Sequence, residues 1–141
     1  MMNKDANYIF EIEMKVRDYE CDFQGIVNNA VYQNYLEHCR HEFLNEFNLS
    51  PVRMHEEGID AVVTRIEIDY RYSLRSGDAF LIQTGVRKNG NVRFIFDQRI
   101  IRKEDSKPII EAVVTGALVR NGRPIPPVLF DVAMKEKGLV F

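Results

Sequence analysis

The sequence predicts an α+β domain, with one long helix lying against a curved antiparallel sheet of about five strands. Three patterns carry this expectation. Apolar and charged residues alternate over residues 10–16, apolar residues then recur at helical spacing over 30–47, and after Gly58 the chain reads as strand nearly to its end. A lone amphipathic helix beside a run of strands can bury its apolar stripe only by lying across their sheet.

Phe10, Ile12, Met14 and Val16 alternate with Glu11, Glu13, Lys15 and Arg17, the pattern of a half-buried first strand. In the helix, Tyr32, Leu36, Cys39, Phe43 and Phe47 share one face, while Glu37, Arg40, Glu42 and Asn45 cover others. Asn28 or Asn29 caps its start, because a short amide oxygen accepts a bond from an N–H the helix leaves unpaired. Asn48-Leu49-Ser50-Pro51 ends it. Val62, Thr64, Ile66, Ile68, Tyr70, Tyr72 and Leu74 then predict one long strand with a single wet face. Ser76-Gly77-Asp78 turns into a strand over about residues 80–87, and Asn89-Gly90 predicts a two-residue hairpin turn into the next, over about 92–102. Residues 109–119 lack clean alternation and contain Ala112, Gly116 and Ala117, as expected of a central strand covered on both faces. Asn121-Gly122 turns again, and Pro124, Pro126 and Pro127 exclude a regular central strand beyond it. The tail is left either to cover a sheet edge or to cross a subunit boundary.

The 141 residues carry 45% hydrophobic and 28% charged side chains, the balance of a single globular domain spanning 1–141. A net charge of −2 provides no global field for nucleic acid or an anionic membrane. No apolar run approaches the ~20 residues of a membrane-spanning helix. Two cysteines, Cys21 and Cys39, and no apolar leader at the N-terminus fit a cytoplasmic protein with reduced thiols. His38 and His41 lie three apart on the helix with His55 beyond it, too sparse for a zinc site, so no metal is expected.

The chemistry concentrates in Tyr19-Glu20-Cys21-Asp22-Phe23-Gln24-Gly25-Ile26-Val27-Asn28-Asn29. A carboxylate stands three residues before a glycine, just ahead of a helix. A helix N-terminus offers unpaired N–H donors and partial positive charge, which stabilise a developing oxyanion. A nearby carboxylate can attack a carbonyl or deprotonate a water. An aspartate beside a glycine also commonly bonds its own loop backbone, and both readings of Asp22 stand.

The pattern Asp22-x-x-Gly25-x-Val27-x-Asn29-x-x-Tyr32, followed by Tyr35-Leu36-Glu37-x-x-Arg40 and by Ser76-Gly77-Asp78 after the long strand, resembles hotdog-fold acyl-CoA thioesterases of the 4-hydroxybenzoyl-CoA thioesterase/YbgC type. The resemblance covers roughly residues 9–119. It implies a hotdog fold, a dimer or tetramer with active sites at a subunit interface, and hydrolysis of an acyl-CoA or acyl-carrier-protein thioester with no separate cofactor. By the same resemblance Asp22 is the catalytic carboxylate, and the N–H near Asn29 polarises the thioester oxygen, with Gly25 letting the backbone pass close to the substrate. Some hotdog thioesterases carry a histidine one position after this glycine; here Ile26 stands there, with Gln24 two positions before it, so no Asp–His mechanism operates at this motif. Hotdog hydratases and dehydratases use a histidine base that the motif lacks. The alternative from another class is a non-catalytic acyl-CoA-binding or sensor module.

Candidate substrate contacts follow, each beside its plainer role. Gln24 holds a water or the substrate carbonyl, or is a solvated loop residue. Asn28 is a cap, and Tyr32 is either ligand or core. Glu37 offers a second carboxylate or pairs with Arg40 or His41 along the helix. Thr64, expected to face inward, reaches substrate or bonds backbone. Coenzyme A phosphates call for basic groups, for which Arg87, Lys88 and Arg93 around one hairpin and Arg120 and Arg123 around another are the candidates.

Overall fold

A computed structural model describes residues 5–141. The elements run β1 (Phe10–Lys15), α1 (Asn29–Glu46), α2 (Pro51–Glu56), β2 (Ile59–Tyr70), β3 (Ala79–Asn89), β4 (Arg93–Arg102), β5 (Pro108–Arg120), β6 (Arg123–Ile125) and α3 (Val128–Glu136). The sheet is antiparallel in the order β1-β3-β4-β5-β2, with short β6 added along the end of β5. One long helix against such a sheet is the architecture the hotdog resemblance implies.

The helix lies on the sheet because its apolar stripe is aromatic and continuous. Leu36, Cys39 and Phe43 of α1 are almost fully buried. Phe43 meets Phe10 of β1 edge-on at 5.7 Å and Phe96 of β4 at 5.5 Å, and Tyr35 packs on Phe80 of β3 at 4.7 Å. Asn28 caps α1 as expected, its side chain accepting from the Ala30 N–H. β5 is central and covered on both faces, with only scattered partial exposure. Asn121 and Gly122 both take positive φ in a two-residue turn that pairs Arg120 with Arg123.

Several expectations give way to tertiary structure. The helix is not alone: Pro51 opens α2, with Ser50 accepting from the Arg53 N–H, and the tail folds as α3. Pro127 immediately precedes α3, where its missing N–H removes no helical bond, while Pro124 sits in the short β6 opposite Val119. Phe130, Ala133 and Met134 of α3 enter the core. The sheet holds the five strands expected, with the three-residue β6 added to them. The loop after Asn89 is three residues long, because Asn89 pairs with Arg93 and only Gly90 takes positive φ.

The long strand is the largest correction. It ends at Tyr70, and it is an edge strand with a single neighbour, β5. A bulge at Thr64, where Val63 pairs with Gly116 and Arg65 with Thr115, shifts the alternation by one residue. Val62, Val63 and Ile66 are consequently all exposed, and Thr64 is exposed rather than inward. Its hydroxyl donates to the Thr115 carbonyl at 3.3 Å.

Candidate active site

Residues 17–28 form a braced loop leading into α1. A single 3-10 turn, Asp18–Glu20, opens it. The Glu20 carboxylate accepts from the Arg17 N–H and the Tyr35 hydroxyl, both at 2.8 Å, tying the turn to the helix. Burial, reinforced by this bond to an anion, pushes the Tyr35 hydroxyl well above its ordinary pKa. The Val27 N–H donates to the Leu74 carbonyl at 2.9 Å, and the Leu74 N–H donates to the Tyr32 hydroxyl at 3.0 Å. Tyr32 therefore supports the loop from the core: it is 2% exposed and presents nothing to a ligand.

Between these braces the chain reverses tightly. The Asp22 N–H donates to Ile26 O at 2.8 Å and the Gly25 N–H to Asp22 O at 3.0 Å, with Gly25 at φ +80°. That positive φ is why a glycine stands here. Asp22 is half-buried, and its Oδ1 accepts from the Gln24 N–H at 2.8 Å and from the Ile26 N–H at 3.4 Å. Among the described residues its Oδ2 accepts nothing. One oxygen thus closes the loop, and the other remains available.

The Asn28 N–H donates to Glu20 O at 3.1 Å and the Ala30 N–H is taken by the Asn28 cap. Asn29, the first helical residue, keeps its N–H without a partner among the described residues and is exposed. A carboxylate oxygen and an orphan helix-start donor lie on one short segment. Asp22, Gln24, Gly25, Asn28 and Asn29 thus lie on one contiguous segment, with Asp22 joined to Gln24 and Gly25 by hydrogen bonds.

The other candidates lie elsewhere. Glu37 is exposed on α1 and faces His41 at 3.9 Å, the helical pairing that was its plainer role. Thr64 is on the outer edge of β2. Lys88 is held by Asp131 of α3 at 3.1 Å, and Arg87 by Asp97 at 2.8 Å. Arg93 starts β4 and Arg123 starts β6; neither forms an ion pair among the described residues, and no contact joins them to the loop. Within the same residues no cluster of His, Cys, Asp or Glu is arranged for a metal, and no helix is long and apolar enough to cross a membrane.

Two basic residues stand where the sequence reading did not place them. Arg75 forms an isolated bridge with Ile26, and a Cβ placed on Gly25 would stand 3.9 Å from its Nη1. It is the cation beside the candidate loop, brought there by a segment nearly fifty residues downstream. Arg40 is buried on α1 at 8% exposure. Its signal was present, since Leu36, Arg40 and Leu44 follow at steps of four on one helical face.

Residues 16–135 match the thioesterase-like superfamily. The chain is 37% identical over 138 residues to the chloroplastic acyl-acyl carrier protein thioesterase ATL3 of Arabidopsis thaliana, covering 98% of this chain and 72% of that protein. It is 27% identical over 127 residues to the acyl-CoA thioesterase YbgC of Haemophilus influenzae, covering 89% and 91%. The crystal structure of Slr0204, a 1,4-dihydroxy-2-naphthoyl-CoA thioesterase from Synechocystis, superposes with a TM-score of 0.83 at 18% identity, covering 90% of this chain and 96% of that one; at that identity the likeness concerns the fold. With a match over most of its length and a relative well above 30% identity, the chain belongs to the thioesterase-like superfamily.

Proposed function

We propose that the protein hydrolyses an acyl thioester, on coenzyme A or on an acyl carrier protein, to free acid and thiol, with Asp22 as the reacting carboxylate. The observation that carries this reading is the division of labour within Asp22: Oδ1 is fixed by two loop N–H groups while Oδ2 has no partner among the described residues. A carboxylate held by one oxygen is oriented for chemistry at the other. The similarity to proteins named for both carriers supports thioester hydrolysis and leaves the carrier open.

Two routes fit the geometry. Acting as nucleophile, Oδ2 adds to the thioester carbonyl and the carbon–sulfur bond breaks. The thiolate leaves and takes a proton from solvent, and water then cleaves the aspartyl–acyl anhydride. As general base, Oδ2 removes a proton from a water that adds to the carbonyl; the tetrahedral intermediate then collapses, the carbon–sulfur bond breaks and the thiolate leaves, taking up a proton. In both, the Asn29 N–H at the start of α1 stabilises the oxyanion, and Gly25 leaves the approach clear. Arg75, beside Gly25, joins Arg93, Arg120 and Arg123 as a candidate for a coenzyme A phosphate, because Arg87 and Lys88 are engaged by Asp97 and Asp131. The exposed β2 edge, with Val62, Val63 and Ile66 bare, fits association with a second copy. A cytoplasmic setting suits the two free thiols.

The test is thiol release from short, long and aromatic acyl-CoAs and acyl-carrier-protein substrates. Asp22→Asn is expected to lower turnover at least a hundredfold while melting like the parent; unchanged turnover in folded protein would overturn the assignment. A single turnover in ¹⁸O-water tests the nucleophilic route, since attack of water on the aspartyl carbon of the anhydride leaves label in Asp22, which a general base never acquires.

A further inference from the structure

The last residue of β2 is carried to the start of α1. Tyr70 pairs with Ile110 of β5, and Ile68 and Ile66 pair with Ala112 and Val114. Directly opposed residues of an antiparallel pair share a face of the sheet, and Ile110, Ala112 and Val114 belong to the core. Ile66, Ile68 and Tyr70 therefore lie on the side of the sheet that α1 covers. Because β2 is the outermost strand, all three reach past that cover and stay partly exposed, Tyr70 at 46%.

A short chain of contacts joins Tyr70 to the Asp22 loop. Its ring meets Tyr32 of α1 edge-on, with centroids 5.9 Å apart. A helical side chain leans toward the N-terminus of its helix and covers the preceding turn, so the buried Tyr32 ring lies against the turn that holds Asn28 and Asn29. The Tyr32 hydroxyl accepts from the Leu74 N–H at 3.0 Å, and the Leu74 carbonyl accepts from the Val27 N–H at 2.9 Å. Burial raises this hydroxyl above its ordinary pKa, with smaller contributions from Cys21, the neighbour of Asp22, and from Tyr70. Both groups therefore stand close to it. Among the described residues the Tyr70 hydroxyl forms no hydrogen bond, so packing on the fixed Tyr32 places the ring.

The two sides of a thioester are drawn to different surfaces. Ionised phosphates on the carrier side go to a guanidinium, and Arg75 stands beside Gly25. An apolar acyl group leaves water for apolar surface, and on the helix side of β2 that surface begins at Tyr70 and continues through Ile68 and Ile66.

We infer that Tyr70 is a specificity-determining residue of the thioester site, its ring forming a wall beside the α-carbon of the acyl group that admits unbranched chains and excludes those branched at that carbon. With the carbonyl oxygen on the Asn29 N–H, the α-carbon is the first atom of the acyl group to meet the ring, and a branch there collides with it. The role rests on the thioesterase reading, with Asp22 and Asn29 at the reacting centre.

The experiment compares hexanoyl, 2-ethylbutanoyl and 4-methylpentanoyl thioesters, which have the same carbon count and are unbranched, branched at the α-carbon and branched far from the carbonyl. Their intrinsic reactivities cancel when ratios of kcat/KM are compared between parent and variant. Tyr70→Val removes the ring and keeps a residue suited to a strand. In it the hexanoyl to 2-ethylbutanoyl ratio is expected to fall at least tenfold, while the hexanoyl to 4-methylpentanoyl ratio stays within twofold. Tyr70→Phe, which keeps the ring, is expected to preserve both. An unchanged first ratio in Tyr70→Val, an equal fall in Tyr70→Phe, or a joint fall of both ratios overturns the wall and leaves the thioesterase reading standing. Absence of turnover with all three, on coenzyme A and on carrier protein, overturns both.

Discussion

In the Asp22 loop and in α1, single side chains answer two demands at once. Asp22 folds its own turn with one oxygen and presents the other, so the plainer and the chemical reading describe different atoms of one carboxylate. Cys39 is the opposite case, a thiol wholly enclosed between helix and sheet, 3.2 Å from Thr84 Oγ1. Burial pushes it up from 9.0 to about 11. Because the charged form is the one disfavoured in the fold, the unfolded chain gives up this proton first. The associated stability is full below pH 9 and is lost as pH rises from there through 11. The loss reaches about 2–3 kcal/mol at most, from a shift of about two pH units. Urea unfolding at pH 8 and pH 11 should show a steeper alkaline fall for the parent than for Cys39→Ala. Tyr32 and Tyr35, also raised by burial, act in the same direction in both proteins.

At the scale of elements, Gly116 shows how closely the strands approach the core. A Cβ there would lie 2.8 Å from the Phe94 ring and 2.8 Å from the Val62 carbonyl oxygen. Gly116→Ala is expected to cost about 1–3 kcal/mol by overpacking, read as a lower urea midpoint with unchanged slope. The elements that could be read in advance are those whose pattern is local and uninterrupted. β1 shows clean alternation, α1 an unbroken aromatic stripe, and the candidate loop is one contiguous segment. What escaped was set by distant contacts. The bulge at Thr64 leaves no mark in composition yet inverts the faces of β2. The Phe130, Ala133 and Met134 spacing of α3 was present but lay behind three prolines. Arg75 reaches the loop only through folding, and Arg40 contradicts the expectation that a charge lies on a wet helical face.

For the whole molecule, the consequential surface is the open edge of β2. It presents unpaired strand backbone and exposed Val62, Val63 and Ile66, and isolated edges of this kind associate unless blocked. Light scattering after size exclusion should find the parent at twice the chain mass or a multiple of it, and Val63→Lys shifted toward the single chain. A parent that stays monomeric at tens of micromolar would rule the edge out as an interface.

The closing helix also bears on how the molecule is made. Phe130 lies against Phe94 at 4.6 Å and stacks on Phe141 at 5.4 Å, while β1 waits for β3, some seventy residues later, before it has any strand to pair with. Synthesis proceeds from the N-terminal side, so the core stays unsealed until α3 has been made and has emerged. The nascent chain carries its bare aromatic surface throughout elongation, the interval in which chaperones compete with aggregation.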